Sequence, residues 1–214
     1  MIIPFSHIPE SLTARNLAEP HVLIRDMLSS GFLELVERDA QGGAQMPIEA
    51  FLSEASRLRG YAALIDTEQS WNPEHLSPSI LRHILWVRCR GEAQALRAAD
   101  ILIRDENFRI ILLDLRALSQ PALRQIPQSH WYRLQRIAQS QNATLIATTS
   151  HPSIAASQIR INVSAEFDLD SFYQKRSHLW TQLQASITRQ RVNTSTPKPW
   201  IHVGTQTKPA AQAS

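Results

Sequence analysis

The feature that most limits the fold is a pair of short, uninterrupted apolar runs that end in acids. Tyr61-Ala62-Ala63-Leu64-Ile65 leads into Asp66-Thr67-Glu68, and Arg109-Ile110-Ile111-Leu112-Leu113 ends at Asp114. A strand covered on one face alternates apolar and polar residues; a run without alternation is covered on both. Such strands belong to a mainly parallel sheet whose carboxyl ends deliver polar side chains. Further strands are expected at 32–36, 83–87, 143–149 and 158–163, the last at an edge. Between them the apolar residues recur at helical spacing. Ile48, Phe51, Leu52, Ala55 and Leu58 do so with Pro47 at the start and Gly60 past the end. Leu96, Ala99, Leu102 and Ile103 mark a second helix, and Trp131, Leu134, Ile137 and Ala138 a third. Strands alternating with helices predict an α/β domain, a mainly parallel sheet flanked by helices.

Residues 31–190 are read as this core domain. The first 30, punctuated by Pro4, Pro9 and Pro20, are read as an N-terminal helical segment with short helices near 12–18 and 22–28. A last helix is expected over 170–189, with Phe172, Leu179, Leu183 and Ile187 on its apolar side. From Val192 onward Pro, Thr, Gln, Lys and Ala dominate, so 191–214 is expected to be a disordered tail that carries Trp200.

Several function classes are set aside by composition. No apolar run approaches the roughly 18 residues of a membrane span, so no membrane partner is expected. Met1-Ile2-Ile3-Pro4-Phe5 lacks the basic start of a signal peptide. The one cysteine, Cys89, has no internal disulfide partner and reads as a small apolar filler. A cytoplasmic protein is expected. His75 and His83 lack a cysteine or acid at metal spacing, so no metal site is expected. Ser129-His130 and Ser150-His151 lack the context of a nucleophile elbow. Only three of the 22 basic residues are lysines, Lys175, Lys198 and Lys208. Arginine suits carboxylate, phosphate and aromatic partners. No dense basic run stands out, and DNA binding is expected to be weak, non-specific and salt-sensitive.

More specific wording follows the second strand. Leu64-Ile65-Asp66-Thr67-Glu68-Gln69-Ser70-Trp71-Asn72-Pro73 gives strand, acid, small residue, Glu, short turn and Asn-Pro; Gln94-Ala95-Leu96 then opens a helix. Over about 32–163 this order resembles the RecA family, with Asp114 in the acid position of its Walker B strand. The resemblance implies a RecA-like fold with a nucleotide site at the glycine loop after the first strand. A working loop reads Gly-x-x-x-x-Gly-Lys-Ser/Thr: backbone N–H groups cradle the phosphates, Lys reaches the β/γ oxygens, and the hydroxyl binds Mg²⁺. Counted without gaps from Glu34, the first glycine position falls on Glu37, the second on Gly42, the lysine on Gly43 and the hydroxyl on Ala44. Glu37 and Asp39 add negative charge where a triphosphate would sit. In the family, the position of Glu68 activates water and that of Asp114 helps hold Mg²⁺; the γ-phosphate-sensing glutamine falls on Ser150. Gly42, Gly43, Ala44, Glu68 and Asp114 are thus read as a vestigial nucleotide site, with no cofactor and no catalysis expected. The stretches 119–129 and 150–157 are short beside the family's DNA-binding loops.

A shortened core of this kind is similar to the ImuA family of translesion-synthesis accessory proteins. Trp86-Val87-Arg88-Cys89-Arg90 before an Ala/Leu-rich helix carries that likeness. The likeness implies an SOS-response adaptor in DNA-damage tolerance whose partner is an ImuB-like polymerase-related protein or RecA. Two other readings stay open: a divergent ATPase using Glu68 and Asp114, and an SOS cell-division inhibitor. For an adaptor, a partner segment is expected beside residues 83–103 or on the following strand, with Trp86 and Leu96 either in that surface or in the core. The alternative is that the tail with Trp200 makes the contact.

Overall fold

The computed structural model describes residues 31–38, 43–69, 71–165 and 167–190. The helices expected within the first 30 residues, Gly42 and the tail with Trp200 lie outside the described residues. Gly31 opens the core at φ +78, a region that L side chains rarely adopt. A Cβ there would also lie 3.1 Å from both Gln139 Cγ and Gln158 Oε1.

Strand β1 (Phe32–Glu37) is followed by helix α1 (Gln45–Arg57) and β2 (Tyr61–Asp66). A short α2 (Pro78–Leu81) precedes β3 (Ile84–Arg88), α3 (Gly91–Arg104) and β4 (Phe108–Asp114). Then come α4 (Gln120–Gln125), α5 (Gln128–Ser140), β5 (Thr144–Thr149) and β6 (Ile159–Ala165). The short helix α6 (Arg176–Gln182) runs into β7 (Leu183–Gln190). The strands form one seven-stranded sheet in the order β3-β2-β4-β5-β1-β6-β7. All pairs are parallel except β6–β7. This is the α/β architecture that the apolar runs predict.

Helices cover both faces. On one, α1 buries Ile48, Phe51, Leu52 and Ala55 against Leu33, Leu35, Leu64 and Leu112. On the other, α3 and α5 pack Ala99, Ile103, Trp131 and Leu134 on Ile65, Ile111, Leu113 and Leu145. Trp131 is fully buried, with its ring 6.1 Å from that of Phe32. Among the described residues no helix is long and apolar enough to cross a membrane.

Two expectations fail at the C-terminal side. The helix expected over 170–189 is instead a 3-10 turn (Leu169–Tyr173), then α6, then β7. Leu183, Ala185 and Ile187 fit a two-residue period as well as a helical one, and β6 offers a free ladder to pair with. Antiparallel pairing places Ala185 opposite Val163 and Leu183 opposite Ala165. Strand β6 is therefore an interior strand between β1 and β7, where an edge was expected. The edges are β3 and β7. Among the described residues only one side of the β3 backbone is paired, and the residues of β3 are half-buried or exposed.

Candidate functional site

The carboxyl ends of β1, β2, β4 and β5 lie together, where α1 leaves toward one face and α4 and α5 toward the other. In open α/β sheets this is where ligands bind. Here the chain's own side chains fill it. Asp114, at the end of β4, is 3% exposed. Its Oδ1 accepts hydrogen bonds from Arg116 Nε at 2.9 Å and Thr148 Oγ1 at 2.8 Å, and its Oδ2 accepts one from Arg116 Nη2 at 2.7 Å. Thr67 Oγ1 donates to the Asp114 carbonyl at 2.9 Å. Arg116 Nη1 also reaches Glu37 Oε2 at 3.3 Å, and Glu37 Oε1 accepts the Ala44 backbone N–H at 2.9 Å.

The result is a chain of charges, Glu37–Arg116–Asp114, with side-chain exposures of 11%, 14% and 3%. Burial works against the charged guanidinium. Hydrogen bonding and attraction from Asp114, and then from Glu37, outweigh it and raise the Arg116 pKa above its ordinary value. Bidentate carboxylate–guanidinium geometry of this kind is strong and directional. Chemically, the cluster offers no unpaired acid at Asp114 and no unpaired cation at Arg116.

The residues read from the sequence are distributed unevenly around this cluster. Ala44 and Asp114 are in it; Arg116, which closes it, was not singled out. The available signal was weak, an arginine two residues past an acid-ended strand. Gly43 sits tightly against β6 and β7: a Cβ there would lie 3.1 Å from Ala165 Cβ and 3.4 Å from Leu183 Cδ2. A lysine at that position would press on Ala165, which would have to give by a few tenths of an ångström. Glu68 lies exposed past the end of β2, its backbone N–H bonded to Asp66 Oδ1 at 3.2 Å. Its carboxylate makes no ion pair among the described residues. Ser150 opens the β5–β6 loop and is half-buried.

A second buried carboxylate organises that loop. Glu34 in β1 is fully buried. Its Oε1 accepts from Ser153 N at 2.9 Å, Ile154 N at 3.1 Å and Thr149 Oγ1 at 3.3 Å. Its Oε2 accepts from Arg160 Nε at 2.6 Å and Ser157 Oγ at 3.4 Å. Arg160 and Arg189 then bond the Ile154 carbonyl. A loop tied at both carboxylate oxygens is a fixed structural element, and its one signature in the sequence is an acid inside a strand.

At the β3 side, Asp66 accepts from Trp71 N and from Trp86 Nε1, at 3.3 and 3.2 Å. The two indoles meet edge to face at 5.1 Å, and the Arg88 guanidinium lies 4.7 Å over the Trp86 ring. Trp86 is thus partly buried against the α1-side core, and Leu96 against the opposite one. The outward apolar groups here are Leu85, 41% exposed, and Ile101 on α3, 60% exposed. Cys89 is buried after β3, and burial, with Asp66 nearby, raises its thiol pKa. Among the described residues no cluster of His, Cys, Asp and Glu could hold a metal ion. No protein-family model matches this sequence, and no curated protein matches it.

Proposed function

We propose that the chain is a non-catalytic, RecA-like accessory protein of SOS DNA-damage tolerance. In this reading it acts in translesion synthesis by protein–protein contact with an ImuB-like polymerase-related protein or RecA. The observation that carries the non-catalytic part is the seating of Glu37. Its carboxylate takes the Ala44 N–H and the Arg116 guanidinium, the kinds of donor that hold a phosphate oxygen. Arg116 likewise occupies both oxygens of Asp114, the acid that the RecA resemblance assigns to Mg²⁺. An anionic ligand entering here meets a carboxylate, and a metal ion meets a guanidinium.

Titration with a fluorescent ATP analogue and Mg²⁺ tests this. The expected result is no saturable binding up to about 1 mM, a limit equivalent to roughly −4 kcal/mol. Micromolar binding that Glu68→Gln weakens would favour the divergent ATPase.

For the partner contact, support comes from the side of β3 that no described residue pairs. A peptide that adds a strand there gains main-chain hydrogen bonds, and side-chain pockets supply selectivity. Leu85 alternates with Trp86 and shares its face with Val87, which packs toward the α3-side core. Leu85 and Ile101 therefore replace Trp86 and Leu96 as the candidate apolar anchors. Leu85→Asp with Ile101→Asp should weaken binding of the partner at least about tenfold while the circular dichroism spectrum stays unchanged. Truncation after Gln190 separates this from the tail model: partner binding that is lost on truncation, with the core still folded, assigns the contact to the tail.

A further inference from the structure

The backbone of Glu37 is held in the sheet, in register with Val163 of β6. Its carboxylate bridges two N–H groups, the Ala44 backbone at 2.9 Å and the Arg116 guanidinium at 3.3 Å. Neither donor depends on Glu37 for its position. Asp114 grips the guanidinium at Nε and Nη2, and is itself bonded to Thr148 Oγ1. Ala44 is fully buried, and its carbonyl accepts the Ile48 N–H at the start of α1. Both donors are therefore aimed at one point by parts of the fold that would remain if the carboxylate were removed. Donors fixed in advance bind an anion without the cost of ordering them.

Size and charge narrow the choice of anion. Truncating Glu37 at Cβ takes away one methylene and the carboxylate, which together have the shape of acetate. Arg116 and Asp114 neutralise each other, so a monoanion restores the native charge of the cluster. A phosphate dianion would add a second negative charge beside Asp114, which is 3% exposed. The side chains of Glu37 and Arg116 are 11% and 14% exposed, so the cradle touches solvent and a small ion has a way in.

We infer that the Ala44 N–H and the Arg116 guanidinium form a latent binding site for a short monocarboxylate, which the native chain fills with its own Glu37. Glu37 is thus a tethered ligand that latches the end of β1 to the start of α1 and to the arginine that follows β4. The inference rests on the seating of Glu37 that also supports the non-catalytic reading. The two fail separately, since that reading is tested with ATP on the native chain and this site with acetate on a variant.

Full-length Glu37→Ala and the native chain are melted in sodium acetate and in sodium chloride of equal ionic strength, near neutral pH. The native chain should melt at nearly the same temperature in both salts. The variant should melt lower than the native chain in chloride and regain about 2–4 °C in acetate, saturably, as a ligand that binds only the folded chain requires. Glu37→Gln keeps the volume and an acceptor oxygen and should not respond. If Glu37→Ala is unfolded in chloride, its circular dichroism in acetate replaces the melt: return of the native spectrum supports the site, and its continued absence overturns it. An equal acetate effect on the native chain and the variant also overturns the inference, because it marks a general solvent effect. So does greater stabilisation of the variant by phosphate than by acetate at equal ionic strength.

Discussion

Arg116→Met is expected to lower the free energy of unfolding by about 3–5 kcal/mol, the usual result of removing one partner from a buried ion pair. Asp114 is 3% exposed and would lose both of its guanidinium hydrogen bonds, keeping only Thr148 Oγ1 and the Arg116 backbone N–H as donors to its carboxylate. Glu37 would keep the Ala44 N–H but lose its cation. Urea unfolding measures the effect as a lower midpoint with an unchanged slope. The pattern is specific. Adding Asp114→Asn to Arg116→Met removes the stranded charge and should recover part of the loss, because the penalty arises from an uncompensated carboxylate. If the single variant were as stable as the wild type, the guanidinium would be held in water rather than between the acids. The self-filled site would then lose its physical basis.

Glu34→Ala should be of similar size, about 3–5 kcal/mol, for a different reason. The carboxylate is fully buried and is the shared acceptor for two backbone N–H groups, two hydroxyls and Arg160. Its removal orphans the Ser153 and Ile154 N–H groups at once. Amide hydrogen exchange gives the discriminating readout: protection at residues 153 and 154 should fall well before global unfolding. Protection that persists there would mean that the bonds from Arg160 and Arg189 to the Ile154 carbonyl hold the loop unaided. Glu34→Gln should lie between, since its amide oxygen still accepts while its NH₂ faces the Arg160 guanidinium.

Much of the scaffold was legible because continuous apolar runs have few alternatives. Ala62 to Ile65 and Ile110 to Leu113 are fully or almost fully buried in adjacent parallel strands, in register through Ala62 and Ile110 to Ile65 and Leu113. The residues after α6 were not legible, because a segment with Leu179, Leu183 and Ile187 satisfies a helical period while Leu183, Ala185 and Ile187 satisfy a strand. Pairing with β6 decided the matter, and pairing is a tertiary property. The site divides in the same way. Asp114 stood out as an acid ending an apolar run. Glu34 did not, since its partners lie 115 to 126 residues away in sequence and no local pattern announces them. Arg116 carries no local signal either, because an arginine after a strand is ordinary until Glu37, 79 residues earlier, is brought beside it.

The sheet's unequal edges restrict the symmetry of any assembly. Among the described residues, strand β7 ends one side antiparallel to its neighbour, whereas β3 ends the other as a parallel strand with one flank unpaired. A second copy can share that flank equally only across a two-fold axis, which makes the two β3 strands antiparallel and closes the assembly at two chains. A foreign segment is under no such restriction and can run in either direction. The flank accepts one strand at a time, so a dimer of this kind and a partner complex exclude each other. Adding the partner segment to a sample paired in this way must split it into single liganded chains, and light scattering would register the halved mass of the protein particle.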